Sequence, residues 1–264
     1  MDKSNNIMSV VFAHDEVGAK ILKFLLKSYS ADIKRVVIKP NDSKNEDVIK
    51  VLDSFNYKKE NIIYYNSDIH EKLESINRSL NIDFFFLLWW PTIITSRLLN
   101  IPNHAVINTH PSLLPFCRGK DPNFWSLVEN APFGVSIHEV TPNIDDGAII
   151  VQKEIHKNWE DNGETLYRKS KKEMIRLFIE SYSLIRTKKY IAEPQDLDKV
   201  SFHLRNELKH ASEIDLSKQY TGRELINLLR ARTFPPYPGC WFRDKEKKYE
   251  IRVLINELEN TEDE

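Results

Sequence analysis

Residues 7–29 read IMSVVFAHDEVGAKILKFLLKSY. The first seven are almost wholly apolar, the pattern of a strand buried on both faces. From Glu16 onward the spacing changes, and Val17, Ile21, Phe24 and Leu25 recur at the interval of one helical face. A buried strand running straight into an amphipathic helix opens a parallel α/β unit. The turn between them, AHDEVGAK, holds a single glycine. It lacks the G-x-G-x-x-G pattern that brings a backbone close to a dinucleotide pyrophosphate, which disfavours NAD or FAD at that turn. No Walker A pattern occurs either.

The same alternation continues outward. Strands are predicted at 35–38 (RVVI), 61–65 (NIIYY), 83–88 (DFFFLL) and 105–108 (AVIN), with helices at 45–55, 69–80 and 92–100 between them. This predicts an α/β fold with a doubly wound, mostly parallel sheet covered on both faces. After His110 the rhythm changes. A short helix at 124–129 precedes strands at 135–140 and 148–155, joined by the polar loop TPNIDDG, and a long amphipathic helix spans 165–187. The polar stretch 190–216 reads as a linker. Beyond it lie a helix at 222–232, a PPYPG turn and a strand at 249–258, which together predict a small C-terminal helix plus β-hairpin subdomain. The expected organisation is a main domain at 1–190 and a linker with the small subdomain at 191–264. The acidic end, ENTEDE, reads as frayed.

With 264 residues, 41% hydrophobic and 29% charged, the chain has enough apolar material for a core without staples. A net charge of −1 lacks the basic excess of proteins that grip nucleic acid, so no nucleic-acid partner is expected. No run approaches the ~18 apolar residues of a membrane span. The N-terminal MDKSNNIMSVVFA has no signal-peptide pattern, and a cytoplasmic location without membrane association is expected. Cys117 and Cys240 lack metal-ligand spacing and read as free thiols, with no metal expected.

The chemistry concentrates in residues 107–119, INTHPSLLPFCRG, which begin at the carboxyl end of a predicted buried strand. Open α/β sheets bind ligands at that edge. Asn108 and His110 stand at i and i+2, so an extended backbone points both side chains the same way. Pro111 then ends the pairing, because it has no N–H to donate. In 135–150, VSIHEVTPNIDDGAII, Asp145 sits in a tight loop closed by Gly147. It reaches His110 if the two strands are neighbours. Alone, each residue has an ordinary reading: a structural histidine, a turn-forming asparagine and a hairpin turn. Together they suit acyl transfer to an amine. An amide donor can stabilise a developing oxyanion. An imidazole can move the amine's proton. A carboxylate can orient the imidazole and favour its charged form.

NTHPSLLPFCRG followed by IDDGAII resembles the folate-dependent formyltransferases, whose pattern is N-x-H-P-S-L-L-P, a nearby R-G and a later D-x-G. The matching residues are Asn108, His110 and Pro111 to Pro115, then Arg118, Gly119, Asp145 and Gly147. The resemblance covers about residues 80–155, and the preceding sheet agrees in pattern only. It implies a formyltransferase-like variant of the Rossmann fold and an enzyme whose catalytic trio is Asn108, His110 and Asp145. It implies 10-formyltetrahydrofolate as formyl donor, held largely through backbone groups between two loops. One loop is Trp90, Pro91, Thr92 and Ile93, with Trp89 a weaker candidate. The other begins at Val140 and Thr141. His138 matches a family histidine with a structural role.

The stretches RGKDPNFWSL (118–127) and LLRARTFPPYPGCWF (228–242) are similar to those of sugar N-formyltransferases. They imply a nucleotide-linked amino sugar as acceptor, with dTDP-4-amino-4,6-dideoxyglucose the leading candidate, serving a bacterial surface polysaccharide such as O-antigen. Such an acceptor needs cations for its pyrophosphate and aromatics for its base. Arg118, Lys120, Arg232, Tyr237 and Trp241 are the candidates, together with Asn123 of the first stretch. Asp121 departs from the family pattern and leaves the acceptor open. Two alternatives compete: a 10-formyltetrahydrofolate hydrolase, or a formyltransferase for another amine. A non-catalytic sugar-nucleotide binder is disfavoured, since binding alone needs no such trio. The apolar alternation of Ile251, Val253 and Ile255 calls for a covering surface, and a homodimer is expected.

Overall fold

The computed structural model describes residues 7–258, so the ENTEDE end lies outside the described residues. In chain order its strands are β1 (Ser9–Ala13), β2 (Ile33–Ile38), β3 (Ile62–Tyr64), β4 (Phe84–Leu88), β5 (Ala105–His110), β6 (Arg118–Gly119), β7 (Gly134–Glu139), β8 (Ile149–Glu154), β9 (Phe202–His203), β10 (Cys240–Asp244) and β11 (Lys247–Ile251). The helices are α1 (Asp15–Tyr29), α2 (Glu46–Ser54), α3 (Ile69–Leu80), α4 (Ser96–Leu99), α5 (Pro122–Val128), α6 (Gly163–Arg186), α7 (Glu207–Ala211) and α8 (Gly222–Arg232). The chain forms two compact units. One comprises residues 1–110, 135–153 and 171–195, and the other 111–134, 154–170 and 196–264.

The first unit is built on a seven-stranded sheet of order β3-β2-β1-β4-β5-β7-β8. Strands β1 to β5 pair in parallel, and β7 is antiparallel to β5. The strand order reverses between β1 and β4, the switch point where α/β sheets open a crevice. The run FFFLL explains why both faces must be covered. Phe85 and Phe12 enter one core layer with Val10, Val37 and Trp90. Phe84 and Phe86 point the other way, and Phe86 meets Phe178 and Tyr182 of α6 at 5.9 and 5.8 Å between ring centroids. Tyr182 Oη and Arg186 Nε donate to the Oδ2 of fully buried Asp32 at 2.9 and 3.0 Å, tying α6 to the segment before β2.

Two expected elements differ. The helix expected at 92–100 shrinks to α4, because Thr95 caps it by accepting from Leu98 N at 3.4 Å, which leaves 91–95 irregular. The last strand lies at β11 rather than 249–258. Its partner β10 begins at Cys240, opposite Ile251, so the ladder ends there.

In the second unit Arg118 and Gly119 of β6 pair with Phe202 and His203 of β9. Gly119 has φ of +89°, and a Cβ there would stand 2.2 Å from the His203 carbonyl oxygen, so glycine is required. Helices α5 and α8 share a core of Phe124, Trp125, Leu127 and Leu228 that extends to Cys240 of the β10–β11 hairpin. A capping box starts α8: Thr221 accepts from Glu224 N, and the Glu224 side chain accepts from Thr221 N. The polar stretch 190–216 therefore contributes α7, β9 and a bridge from Glu193 to Ile149. Cys117 and Cys240 are free, and burial pushes both thiols up to about 12.

Candidate active site

The candidate site lies at the carboxyl end of β5, in the first unit. Parallel pairing with β4 sets Leu87 opposite Asn108, and antiparallel pairing with β7 sets His138 opposite Asn108. Between Asn108 and His110, Thr109 takes the other side of the strand. Its hydroxyl donates to Leu87 O and accepts from Trp89 N, which anchors the exit of β4 to β5.

The loop between β7 and β8 is tied to β5 and folded back on itself. Val140 N donates to Val106 O, and Glu139 N donates to Ala148 O. Gly147 passes so close that a Cβ would lie 1.9 Å from the Glu139 carbonyl oxygen. Thr141 and Asn143 donate to the Asp146 carboxylate, which spends that acid on the loop itself. Asp145 adopts φ of +51° and turns its carboxylate toward β5.

The three expected residues meet there. Asp145 Oδ2 lies 3.4 Å from His110 Nδ1, and Asp145 Oδ1 lies 3.5 Å from Asn108 Nδ2. His138 joins them, with its Nε2 3.2 Å from Asn108 Nδ2 and 3.6 Å from Asp145 Oδ1. Its Nδ1 is 2.7 Å from the Glu139 carbonyl, so Nδ1 carries the proton and Nε2 accepts from Asn108. The asparagine amide is thus oriented from two sides. Both imidazoles are buried, and the Asp145 side chain is 13% exposed, so charges here act through a low dielectric.

The loops expected at the donor flank the same strand, one held by Trp89 N on Thr109 and the other by Val140 N on Val106. Trp90 turns inward, 5.3 Å from the rings of both Phe12 and Tyr65, and its indole N–H is buried without a hydrogen-bond partner among the described residues. Pro91 and Ile93 are exposed, and Thr92, Val140 and Thr141 are half-buried.

The residues expected at the acceptor belong to the second unit. Arg118 is buried on β6, while Lys120 is exposed just beyond it. Asn123 Nδ2 donates to Gly163 O at 2.8 Å. Tyr237 is half-exposed, its ring edge-on to Phe234. Trp241 is buried in the hairpin, with Lys248 Nζ 3.7 Å above its ring. Arg232 Nε is buried with no hydrogen-bond partner among the described residues. Burial raises the Asp121 carboxyl, against the pull of Lys120, Arg205 and Arg232 around it. Nothing in the sequence marks Arg205, whose place beside Asp121 follows from the β6–β9 register.

Residues 6–181 match the family model described as formyl transferase. The chain belongs to that formyltransferase family. Residues 207–257 of this formyltransferase match a second model, described as the N-formyltransferase dimerization C-terminal domain. It is 29% identical over 151 residues to the dTDP-4-amino-4,6-dideoxyglucose formyltransferase of Mycobacterium bovis, covering 56% of this chain and 64% of the relative. It is 31% identical over 178 residues to the methionyl-tRNA formyltransferase of Thermodesulfovibrio yellowstonii, covering 65% of this chain and 54% of that one. The matches thus span less than two thirds of these relatives. The fold is shared with an N-formyltransferase of Helicobacter canadensis solved with folinic acid and dTDP-3-aminofucose (TM-score 0.69, 20% identity, 88% of this chain and 82% of the other).

Proposed function

We propose that this formyltransferase moves a formyl group from 10-formyltetrahydrofolate to the amine of a nucleotide-linked amino sugar, with dTDP-4-amino-4,6-dideoxyglucose as its acceptor. The observation that carries this is the convergence of Asn108, His110 and Asp145 on one strand end. The folate donor supplies an electrophilic formyl carbon. The irregular backbone at 91–95 and the orphaned Trp90 N–H fit a heterocycle rich in hydrogen-bonding groups. Trp90, Pro91, Thr92, Ile93, Val140 and Thr141 would hold it. Asn108 keeps one N–H on His138 and turns the other from its 3.5 Å contact with Asp145 to the formyl oxygen as negative charge builds there. His110 takes the proton that the attacking amine sheds, and Asp145 holds the imidazole in orientation and stabilises its cation.

In this reading residues 1–190 form the catalytic domain. Arg118, Lys120, Asn123, Tyr237 and Trp241 serve the acceptor, residues 191–264 form a linker and small subdomain, and the terminal strand from Tyr249 serves a homodimer. The relative from Mycobacterium bovis supports a dTDP-linked acceptor, and the methionyl-tRNA formyltransferase supports the transfer chemistry alone; the enzyme would act in the cytoplasm and its product would feed a surface polysaccharide such as O-antigen. No described helix is long and apolar enough to cross a membrane. The net charge of −1, without a basic excess, supports a reading in which no nucleic acid is bound. The test is a panel of dTDP-4-amino, dTDP-3-amino and UDP-4-amino sugars, glycinamide ribonucleotide, formylatable methionyl-tRNA and a no-acceptor control, read by mass spectrometry. Formylation of one amino sugar, lost in His110→Ala, is expected. Formate release without acceptor would instead identify a hydrolase.

A further inference from the structure

Residues 190–195 return along the edge of the main sheet instead of leaving it. Ile149 and Glu193 exchange both backbone hydrogen bonds at 2.8 Å. Three residues earlier, Tyr190 Oη donates to Glu139 Oε1 at 2.8 Å. Two residues later, the buried Gln195 reaches the loop that carries Asp145. Its Nε2 donates to Asp145 O at 2.9 Å and to Gly147 O at 2.7 Å. A side-chain amide has two N–H donors, so both are committed to the two carbonyls that bracket Asp146.

The loop needs such a hold. Asp145 has a positive φ, a region that a residue with a Cβ leaves readily unless its surroundings hold it there. Gly147 is pressed against Glu139, whose carboxylate is tied to Tyr190. The Thr141, Asn143 and Asp146 bonds close the loop on itself without fixing the Asp145 peptide.

We infer that Gln195 is a positioning residue for the formyl transfer, acting through the backbone of Asp145 to hold its carboxylate against His110 and Asn108. The inference rests on the proposed catalytic role of Asp145. With the amide removed, the 145–147 carbonyls relax toward water and the carboxylate loses its fixed distance from the imidazole. The substrates are untouched, so turnover falls while binding is kept.

The test is a double-mutant cycle between Gln195→Met, which keeps side-chain length without donors, and Asp145→Asn. Single-turnover rates and KM for both substrates are measured in all four proteins. Gln195→Met is expected to lower kcat about 10-fold with KM within about two-fold, and to lower the rate less than about two-fold when Asp145 is already Asn. An equal loss in both backgrounds, or an unchanged kcat in the single variant, would overturn the role of Gln195 and leave the trio standing. A normal rate in Asp145→Asn would overturn the catalytic reading of Asp145, and this inference with it. Gln195→Glu, of the same shape and without donors at neutral pH, repeats the cycle if the methionine variant does not fold.

Discussion

His110 is polarised by one carboxylate, while Asn108 is gripped by a histidine and that same carboxylate, so the two have separable roles. In the proposed mechanism, replacing Asn108 by Ala removes an oxyanion donor and is expected to lower kcat about 10²- to 10³-fold with donor affinity retained. Steady-state kinetics with a fixed acceptor checks this, and a loss confined to KM would assign Asn108 to binding. Gly147 tolerates no side chain. Gly147→Ala must push the loop off Glu139, with an expected cost of about 1–3 kcal/mol in denaturant unfolding. At the start of α1, the side chain of His14 turns to Asp42, with Nε2 3.1 Å from Oδ2. Burial lowers its pKa below the usual 6.5, against the pull of Asp42. The unfolded chain then binds the proton more readily. The contribution of His14 is complete above the unfolded pKa and is lost as pH falls from 6.5 through the folded value. Urea titrations should show wild type losing more stability between neutral and mildly acid pH than His14→Gln, and parallel losses would refute this.

Among the elements, α6 bears the clearest energetic prediction. Asp32 is a buried carboxylate whose charge is matched by Arg186 and hydrogen-bonded by Tyr182. Removing one partner of a buried pair strands the other charge. Arg186→Met should therefore destabilise the protein by about 3 kcal/mol at neutral pH. Asp32→Asn with Arg186→Met together should recover part of that loss, which calorimetry can read. Asp32 and Arg186 lie 154 positions apart, so no local pattern announces the pair. The strand–helix order, by contrast, was readable throughout the first unit, because each buried strand is a short apolar run and each helix an interrupted one. The ends moved where caps intervene, as at Thr95, or where a partner strand ends, as at Cys240.

For the whole molecule, the proposed dimer can be measured directly. Light scattering is expected to give about twice the 31.0 kDa chain mass, and removal of residues 240–258 is expected to yield monomer. A concentration-independent single-chain mass for the intact protein would sink that proposal. The hairpin leaves Tyr249 half-exposed and, beyond it, Leu254 exposed, the kind of apolar surface that a second copy can cover.

The sequence by itself determined the parallel strands of the sheet and, through its resemblance, the formyltransferase family, and it marked Asn108, His110 and Asp145 as the proposed trio. Strand periodicity and the N-x-H and D-x-G spacings are local, and two residues at i and i+2 on a strand must share a side. Tertiary structure decided how the trio is held. His138 meets Asn108 only because β7 runs antiparallel to β5, and Gln195 reaches the Asp145 loop only because residues 190–195 return to β8. Such partners lie 30 and 50 positions from the groups they orient. Their identity depends on strand order and register, which a polar stretch without periodicity does not encode in any local pattern.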